Sequence, residues 1–338
     1  MVSIADVARD AGVSSSTVSY VLSGKRSISP ETRRRVEDSV RRLGYHPHAG
    51  ARALASSRTN VLGLVMPLRP DIDVPVLMGF VTSVVTSARR YEHDVLLLTN
   101  DEGPEGLRRV ANSATADALL VMDVETTDPR VPVLHSLPCP AVLVGLPDDP
   151  GSLSCVDLDF SAAARRCVQH LAELGHERIA LVGPSPAVYE RGTSFAERFL
   201  DGFTTAARQR NTHAVSRPCP PSYEGVCECL DRIFAERPEP TGLVVHNEAV
   251  LGSLLSELRG RGRRVPEDVS VVAVGPGETT ANWPVPLTTV PLPSDEIGRT
   301  AVEMTMRELE GTASAEVRLL SPRLVPGRST APPPPTVS

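Results

Sequence analysis

Apolar residues recur at the three- and four-residue spacing of short amphipathic helices near the start of the chain. The first two stripes are Ile4, Val7, Ala8 and Ala11, followed by Val18, Val21 and Leu22. Ser3 and Asp6 have the spacing of a capping box at the start of the first helix, and Gly12 supplies a left-handed residue to end it. Ser14 can cap the second helix. The pattern therefore predicts a helix-turn-helix.

The second helix has a polar face opposite its apolar stripe. That face consists of Ser15, Ser16, Ser19 and Tyr20. Short or hydrogen-bonding side chains of this kind suit a helix that lies in the major groove of DNA. A third helix is predicted from Ser29-Pro30, with proline at the first helical position, to a glycine stop at Gly44. A generic helical hairpin is the alternative interpretation.

The formal charge separates this segment from the rest of the chain. Residues 1–59 carry ten Lys/Arg and five Asp/Glu, a net charge of +5, whereas the remainder carries 25 and 36, a net charge of −11. Basic charge on the candidate DNA-binding helices favours DNA over the generic hairpin. The candidate phosphate contacts are Lys25, Arg26, Arg33, Arg34, Arg35, Arg41, Arg42, Arg52 and Arg58.

A short Ala-rich stretch, His48 to Ser56, follows and is interpreted as a hinge helix. It is shorter than an isolated helix that is stable in water, so we expect it to order only against DNA or a second hinge. Leu54 is its one large apolar side chain, and such a residue can wedge between base steps in the minor groove. The alternative is a leucine that docks the linker onto the body of the protein.

From Val61 onward, apolar runs typical of strands covered on both faces alternate with helical patterns. The runs are VLGLVMPL, DVLLLTN, ALLVMDV, AVLVGLP, RIALVGP, GLVVHNE and VSVVAVG, and the helices are predicted at 80–90, 105–114, 161–174, 195–210, 227–236 and 248–259. The alternation predicts parallel sheets. The strands are too many for one compact sheet, so we expect two doubly wound subdomains with a ligand cleft at the carboxyl ends of their strands.

Other chemical signals exclude several classes of protein. The six cysteines lack CxxC spacing, and no GxSxG, Walker or HExxH motif occurs, so we expect no metal, no cofactor and no enzyme activity. No apolar run approaches the roughly 20 residues of a membrane span. The early helix-turn-helix leaves no room for a signal peptide, which indicates a cytoplasmic, nucleoid-associated protein. The proline-rich APPPPTVS predicts a disordered tail at 331–338.

Several of these segments together resemble the LacI/GalR family of bacterial transcription regulators, in family order up to about Thr330. IADVARDAGVSSSTVSYVLSG is similar to the family's DNA-binding signature, and YHPHAGARALASSRTNVLGLV to its hinge and first strand. HLAELGHERIALVGP, VPEDVSVVAV, PLTTVPLP and LLSPRLVPGRST are similar to its later blocks. The resemblance implies a homodimer, or a dimer of dimers, on a roughly palindromic operator.

The fold class expected from the pattern and the resemblance is an α-helical helix-turn-helix DNA-binding domain plus an α/β periplasmic-binding-protein-like sensor domain. We expect the DNA-binding domain at 1–46, the hinge helix and linker at 47–59, and the effector-sensing and dimerisation domain at 60–330. Within the sensor, subdomain 1 is predicted at about 60–159 and 291–321, and subdomain 2 at about 162–288 and 322–330.

The resemblance also assigns roles in DNA binding. The candidate base readers are Ser15, Ser16, Tyr20 and Arg26, the candidate phosphate contacts are Thr17, Ser19, Thr32 and Arg33, and Leu54 matches the hinge leucine that opens the minor groove. Tyr20 stands where many relatives have arginine, so the preferred operator bases are expected to differ from theirs.

The resemblance is weaker in the effector pocket. Phe199 stands where the family has an arginine that grips the ligand, His246-Asn247 replaces the usual Asn-Asp, and Gly275 replaces an aspartate. Losing two charged anchors indicates a sugar-like or less polar effector, or none. The candidate effector-binding residues are Asp73, Asp159, Arg198, Phe199, His246, Asn247 and Gly275. Asp159 as a helix cap and Arg198 as a surface residue are the alternatives.

The leading hypothesis is a sequence-specific DNA-binding transcription regulator, with a repressor favoured over an activator. Its sensor changes cleft closure and thereby the separation of the two hinge helices. An effector acting as inducer or as corepressor fits this scheme equally. The alternative is a solute-binding or sensor protein of periplasmic-binding-protein type, against which the basic helix-turn-helix argues.

Overall fold

The computed structural model describes residues 2–23, 26–45, 58–69, 73–113, 115–236, 239–275, 285–312 and 314–335. Three helices, α1 (Ile4–Ala11), α2 (Ser15–Ser23) and α3 (Pro30–Leu43), form a small N-terminal head. Its core consists of Val7, Ala8, Ala11, Val18, Val21, Val36 and Tyr45. The predicted helices are confirmed. Leu22 was predicted to face inward, but it is 36% exposed because the contact with the other helices runs along Val18 and Val21.

Capping and one arginine fix the turn of the head. The Asp6 backbone N–H donates to Ser3 Oγ at 3.3 Å, the Ser3 N–H donates to Asp6 Oδ2 at 2.9 Å, and Gly12 ends α1 with a φ of 62°. From α3, the Arg35 guanidinium donates to the Ala11 carbonyl at 2.5 and 3.2 Å and to the Gly12 carbonyl at 3.1 Å. Arg35 therefore clamps the turn between the first two helices.

The body contains two parallel sheets, and the one that includes the first strand defines lobe 1. Its order is β11-β5-β4-β3-β1-β2, and every neighbouring pair is parallel. The strands are β1 (Val61–Val65), β2 (Asp94–Leu98), β3 (Ala118–Val121), β4 (Ala141–Val144), β5 (Ser154–Leu158) and β11 (Val317–Leu320). The helices between them are α4 (Val74–Arg89), α5 (Gly103–Asn112) and α6 (Val131–Ser136).

The second sheet defines lobe 2 and has the order β10-β9-β8-β6-β7, again parallel throughout. Its strands are β6 (Arg178–Gly183), β7 (His213–Pro218), β8 (Gly242–Val245), β9 (Ser270–Gly275) and β10 (Thr288–Pro291). Its helices are α7 (Phe160–Glu173), α8 (Pro186–Glu190), α9 (Ser194–Gln209), α10 (Tyr223–Phe234) and α11 (Leu251–Gly260), the last preceded by a 3₁₀ turn at Glu248–Val250. The predicted two doubly wound sheets are confirmed.

The chain passes between the lobes three times, after β5, β10 and β11. After β10, α12 (Ser294–Leu309) packs against α4 of lobe 1 and leads to β11. After β11, Val325 returns to lobe 2, where its N–H donates to the Thr289 carbonyl at 2.7 Å. Three crossings leave the lobes joined at one side of the cleft between them.

The end of the described chain is attached to lobe 2 through a buried histidine. The His176 Nε2 atom lies 2.9 Å from the Ala331 carbonyl and 3.0 Å from Ser270 Oγ, and its Nδ1 lies 2.9 Å from Thr241 Oγ1. Of the predicted tail, Ala331 is thus hydrogen bonded to the body, and residues 336–338 lie outside the described chain. Across the described segments, no helix combines the length and apolar character that a bilayer crossing needs.

Helices α7 and α9 pack closely because Gly202 has no side chain. A Cβ at this position would lie 2.5 Å from the Ser161 carbonyl oxygen and 2.7 Å from the Ser161 Cα, both backbone atoms of α7. Backbone atoms cannot move aside locally, so the two helices would have to separate.

We therefore predict that Gly202→Ala lowers the free energy of unfolding by about 1 to 3 kcal/mol, the usual effect of overpacking. The matched control is Gly260→Ala at the end of α11, where a Cβ meets nothing within 4 Å. Alanine favours helix, so the control is expected to keep or slightly raise stability. Urea unfolding followed by circular dichroism measures both, and equal stabilities would contradict the close packing.

Candidate DNA-binding surface and effector cleft

The N-terminus of α2 presents polar groups to solvent while its other face builds the head core. The Thr17 N–H donates to Ser14 Oγ at 3.2 Å, and the two hydroxyls lie 2.9 Å apart. Ser15 and Ser16 are exposed, and Thr17 is half-buried. A helix N-terminus with free hydroxyl donors suits contact with a phosphate or a base edge.

Two further candidate base readers meet one turn later. Tyr20 is half-buried, and the guanidinium carbon of the exposed Arg26 lies 5.1 Å from the centre of its ring. Such a cation–π contact holds Arg26 beside α2 before any DNA is bound. The half-buried Ser19 lies next to Tyr20 in the same helix.

The N-terminus of α3 repeats the capping arrangement of α2. Ser29 Oγ donates to Thr32 Oγ1 at 2.9 Å and accepts from the Thr32 N–H at 3.3 Å. Because Thr32 Oγ1 accepts this bond, its own proton remains available for a phosphate oxygen. Arg33 and Arg34 are exposed on the same turn, and no acidic partner of either lies within the described chain.

Other basic residues of the head have structural partners. Arg35 clamps the turn after α1, Arg41 pairs with Asp38, and Arg42 pairs with Asp10. These pairs reduce the set of arginines that are free to meet phosphate, which charge counting from sequence did not distinguish. Lys25, Arg52 and the predicted hinge with Leu54 lie outside the described residues.

A cavity of about 200 Å³ lies between the lobes at the carboxyl ends of both sheets, as the strand pattern predicted. Most of its wall is apolar, with Met66, Leu77, Phe80, Met122, Val144, Phe160, Val188, Phe195 and Leu292 among the lining residues. The polar and charged residues of the wall are Asp73, Asp123, Asp157, Ser185, Arg191, His246, Asn247 and Glu248.

Three of the predicted effector residues, Asp73, His246 and Asn247, line this cavity. The other four, named next, are not part of its described wall. Asp159 caps α7 by accepting the Ala162 N–H at 2.8 Å, as its alternative interpretation stated. Arg198 is held by Asp157, whose carboxylate faces the cavity. The side chains of Asp159 and Arg198 therefore make structural contacts within the protein.

Phe199 and Gly275 lie behind the cavity wall, next to the wall residues His246 and Glu248. Phe199 is fully buried, with its ring centre 4.1 Å from that of His246. At Gly275, φ is +156° and a Cβ would lie 2.5 Å from Glu248 Cγ. The glycine that replaces the family aspartate therefore makes room for a different carboxylate, that of Glu248.

Three rings form one corner of the cavity. The ring centres of Phe160, Phe195 and His246 are separated by 5.5 to 5.6 Å in each pair. Burial lowers the pKa of His246 to about 3, so its imidazole is neutral. Its Nδ1 atom is buried without a hydrogen-bond partner in the described chain.

The four carboxylates of the cavity wall differ in whether they have an arginine partner. Asp123 is paired with Arg69, and Asp157 with Arg198, whereas Asp73 and Glu248 form no ion pair within the described chain. Burial and the neighbouring Asp73 charge raise the pKa of Glu248 to about 7. Burial likewise raises the pKa of Asp157 to about 6 despite the opposing effect of Arg198.

Sequence reasoning missed Phe160, Phe195, Asp123, Arg191 and Glu248 as cavity residues. A usable signal existed for two of them, since Asp123 and Glu248 are acidic residues at the carboxyl ends of the predicted apolar runs, where cleft residues lie. Asn247 was found, but its amide donates to the Gly183 carbonyl at 3.1 Å and the Cys219 carbonyl at 2.9 Å. Its donors therefore hold loops of lobe 2 together.

The lobes also touch beside the cavity. The Thr126 N–H of lobe 1 donates to the Gly192 carbonyl of lobe 2 at 2.7 Å, and the Ser194 N–H donates to the Val124 carbonyl at 2.9 Å. Ser194 begins α9, which also carries Phe195. Movement of one lobe relative to the other would therefore displace Phe195 and change the aromatic corner.

Comparison with known proteins adds to these observations. Residues 3–48 match the family described as bacterial regulatory proteins, lacI family, and residues 168–330 match a periplasmic binding protein-like domain. The HTH-type transcriptional regulator AglR of Rhizobium meliloti is 31% identical over 302 residues, covering 85% of this chain and 82% of AglR. Catabolite control protein A of Priestia megaterium is 27% identical over 311 residues, covering 90% and 91%.

Solved structures show the same fold. The Lac repressor dimer bound to operator and the anti-inducer ONPF has a TM-score of 0.84 at 24% identity, covering 98% of this chain and 99% of that one. The complex of the transcriptional regulator CelR with cellobiose has a TM-score of 0.70 at 25% identity, covering 97% and 100%.

The periplasmic binding protein-like domain is compatible with a regulator and with a solute-binding protein. The match at residues 3–48 is specific to regulators and therefore decides between the two. The relatives are named as regulators, which confirms the prediction of a transcription regulator over an enzyme. The identity to AglR extends over more than four-fifths of both chains. The chain belongs to the lacI family of bacterial regulatory proteins.

Proposed function

We propose that the chain binds a palindromic operator as a homodimer and represses transcription, with α2 of each copy in a major groove. The observation that carries the proposal is the capped α2, which exposes Ser15 and Ser16 and holds the half-buried Tyr20 beside the exposed Arg26, while Val18 and Val21 anchor the helix in the head. The protein acts in the cytoplasm on chromosomal DNA.

The head supports a division of roles among its polar residues. Ser15, Ser16, Tyr20 and Arg26 read bases, while Ser19 and the threonines that are hydrogen bonded to the capping serines of α2 and α3 contact phosphate together with Arg33. Those threonines are Thr17 and Thr32. Leu54 wedges the minor groove at the centre of the operator, which brings the two hinges together.

An apolar strip on lobe 1 supports the homodimer. Val74, Met78 and Val85 are exposed on α4, and Leu96 and Leu97 are exposed on the adjacent edge strand β2. An exposed apolar patch of this kind next to an unpaired strand edge is typical of a surface that is covered in the assembly. We assign it to the second copy of the chain, whose two-fold axis would match that of the operator.

The cleft supplies the control. A small molecule that binds more tightly to one arrangement of the lobes shifts the distance between the two hinges by that difference in affinity. If it favours separated hinges it is an inducer, and if it favours joined hinges it is a corepressor.

Footprinting tests the proposal directly. Purified protein is expected to protect a palindromic site upstream of its own gene or of neighbouring genes from nuclease, at nanomolar concentration and with affinity that falls steeply with salt. The absence of a footprint across these regions would refute the operator role.

We predict that Ser16→Ala lowers affinity for the operator by about tenfold because one base contact is lost, with little change on unrelated DNA. Arg33→Ala is expected to weaken binding to both DNAs alike and to reduce the slope of log affinity against log salt by about 1. Arg41→Ala, which removes an arginine already paired with Asp38, is the control and should change neither. Fluorescence anisotropy over a salt series measures all three, and identical effects of the first two would overturn the assigned roles.

We predict that the double variant Met78→Glu, Val85→Glu is monomeric, because four carboxylates would face one another across the interface. Val317→Glu is the control, since Val317 is exposed on the opposite edge strand β11. Sedimentation velocity gives the assembly state, and operator affinity should fall with it. A double variant that stays dimeric would remove this strip from the interface.

A further inference from the structure

The wall of the cleft carries two carboxylates, one from each lobe, that form no ion pair with any residue the structure describes. Asp73 begins α4 in lobe 1, and its Oδ1 accepts the Val76 N–H at 3.0 Å. Glu248 begins the 3₁₀ turn of lobe 2. The nearness of Asp73 contributes to the raised pKa of Glu248, so the two charges repel across the cleft.

The remaining charges of the wall do not compensate them. Asp123 pairs with Arg69, which also pairs with Asp101, and Asp157 pairs with Arg198. Arg191, which also lines the cavity, has an interaction of its own and is not among the groups that shift the pKa of Glu248.

The aromatic corner adds a second, independent feature. Phe160, Phe195 and His246 lie at mutual distances of 5.5 to 5.6 Å, and all three line the cavity. His246 is only 3% exposed, and its Nδ1 has no partner in the described chain. Aromatic faces pack against an apolar or aromatic body, and their ring quadrupoles attract a cation held nearby.

We propose that the effector is an organic cation, a protonated amine with an apolar or aromatic body, which places its ammonium group between Asp73 and Glu248 and its body against Phe160, Phe195 and His246. The proposal rests on the effector-controlled function above and names the class of effector. It departs from a sugar, because the amide donors of Asn247 are already used by backbone carbonyls. An anionic ligand would meet the uncompensated carboxylates.

Binding of a cation should depend on pH through Glu248. In the free protein its pKa is about 7, so below that pH the group must lose a proton before it can pair with the amine. Affinity is therefore expected to rise by about tenfold per pH unit up to pH 7 and to level off above it. The charged and titratable groups that share the cavity wall with Glu248 are Asp73, Asp123, Asp157, Arg191 and His246. Of these, Asp157 has its pKa near 6 and His246 near 3, so Glu248 dominates between pH 6.5 and 8.

The test uses the full-length protein and a panel of protonated amines, each beside a neutral alcohol of the same shape. The pairs are benzylamine with benzyl alcohol, 2-phenylethylamine with 2-phenylethanol, and tryptamine with tryptophol, with cellobiose as the sugar. Calorimetry at pH 8 is expected to show that at least one amine binds about tenfold or more tightly than its alcohol. The amine forms charged hydrogen bonds with the carboxylates that the neutral alcohol cannot form. No amine binding above its alcohol, or tighter binding of cellobiose, would overturn the proposal.

Variants separate the carboxylate from general effects on the cleft. Glu248→Gln is expected to weaken amine binding by about tenfold and to abolish its pH dependence, while Glu267→Gln, an exposed carboxylate outside the cavity, changes neither. Asp73→Asn keeps a helix-capping side chain and should weaken binding of the amine but not binding of its neutral alcohol. Equal affinity in wild type and Glu248→Gln contradicts the assignment. Operator footprinting of the same preparations separates the proposed operator function from the proposed effector class. An intact footprint with no amine binding overturns only the effector class.

Discussion

The close contact between α7 and α9 is the constraint on which the cleft depends. Gly202 lets the two helices approach until a single added carbon would meet the backbone of Ser161. Both helices begin at the cleft, so this spacing places Phe160, at the start of α7, 5.5 Å from Phe195, at the start of α9. It also brings Arg198 to Asp157, across the boundary between the lobes. This helix contact, which begins one residue after the cavity residue Phe160, thus sets the geometry of the aromatic corner.

The electrostatics of the cleft follow from this packing together with Gly275. Burying a carboxylate is unfavourable unless a cation compensates it, and Asp157 and Asp123 each have an arginine for that purpose. Glu248 has no such partner among the described residues, and it fits because Gly275 leaves the space next to its Cγ empty. The replacement of an anchoring aspartate by glycine therefore relocates the negative charge and does not remove it. The sequence reading of this glycine as a loss of polarity was incomplete for that reason.

Sequence patterns predicted the strands with continuous apolar runs, including the edge strand β2, and missed strands whose sequences contain polar residues, including the buried strand β5 (SCVDL). Three of the missed strands, β7, β10 and β11, are edge strands, and β5 lies beside β11. The edge strands HAVSRP and VRLL bury few side chains and have no continuous apolar run. The edge strand β10 (TTVP) is mostly buried but begins with two threonines, which hid it in the same way. The head was predictable because its caps and stripes are local, within a few residues of one another.

The cleft and the arginines of the head could be predicted only in part because they depend on partners far away in sequence. Arg35 meets Ala11 at a separation of 24 residues, and Arg198 meets Asp157 at a separation of 41. Nothing in the spacing of these residues indicates the pairing. In contrast, the N-terminal stripe at Val18 and Val21 was fixed by helical periodicity alone.

Charge placement also gives the direction in which a cation would move the lobes. Asp73 belongs to lobe 1 and Glu248 to lobe 2, so their repulsion opposes closure of the empty cleft. A cation between them converts that repulsion into two attractions, which stabilises the closed arrangement by the difference in its affinity for the two states. A neutral ligand of the same shape would fill the aromatic corner without this term. If the proposed cation is the effector, it acts on DNA only through that difference, and the carboxylate pair then contributes to the coupling between cleft and head in a way that a neutral ligand cannot.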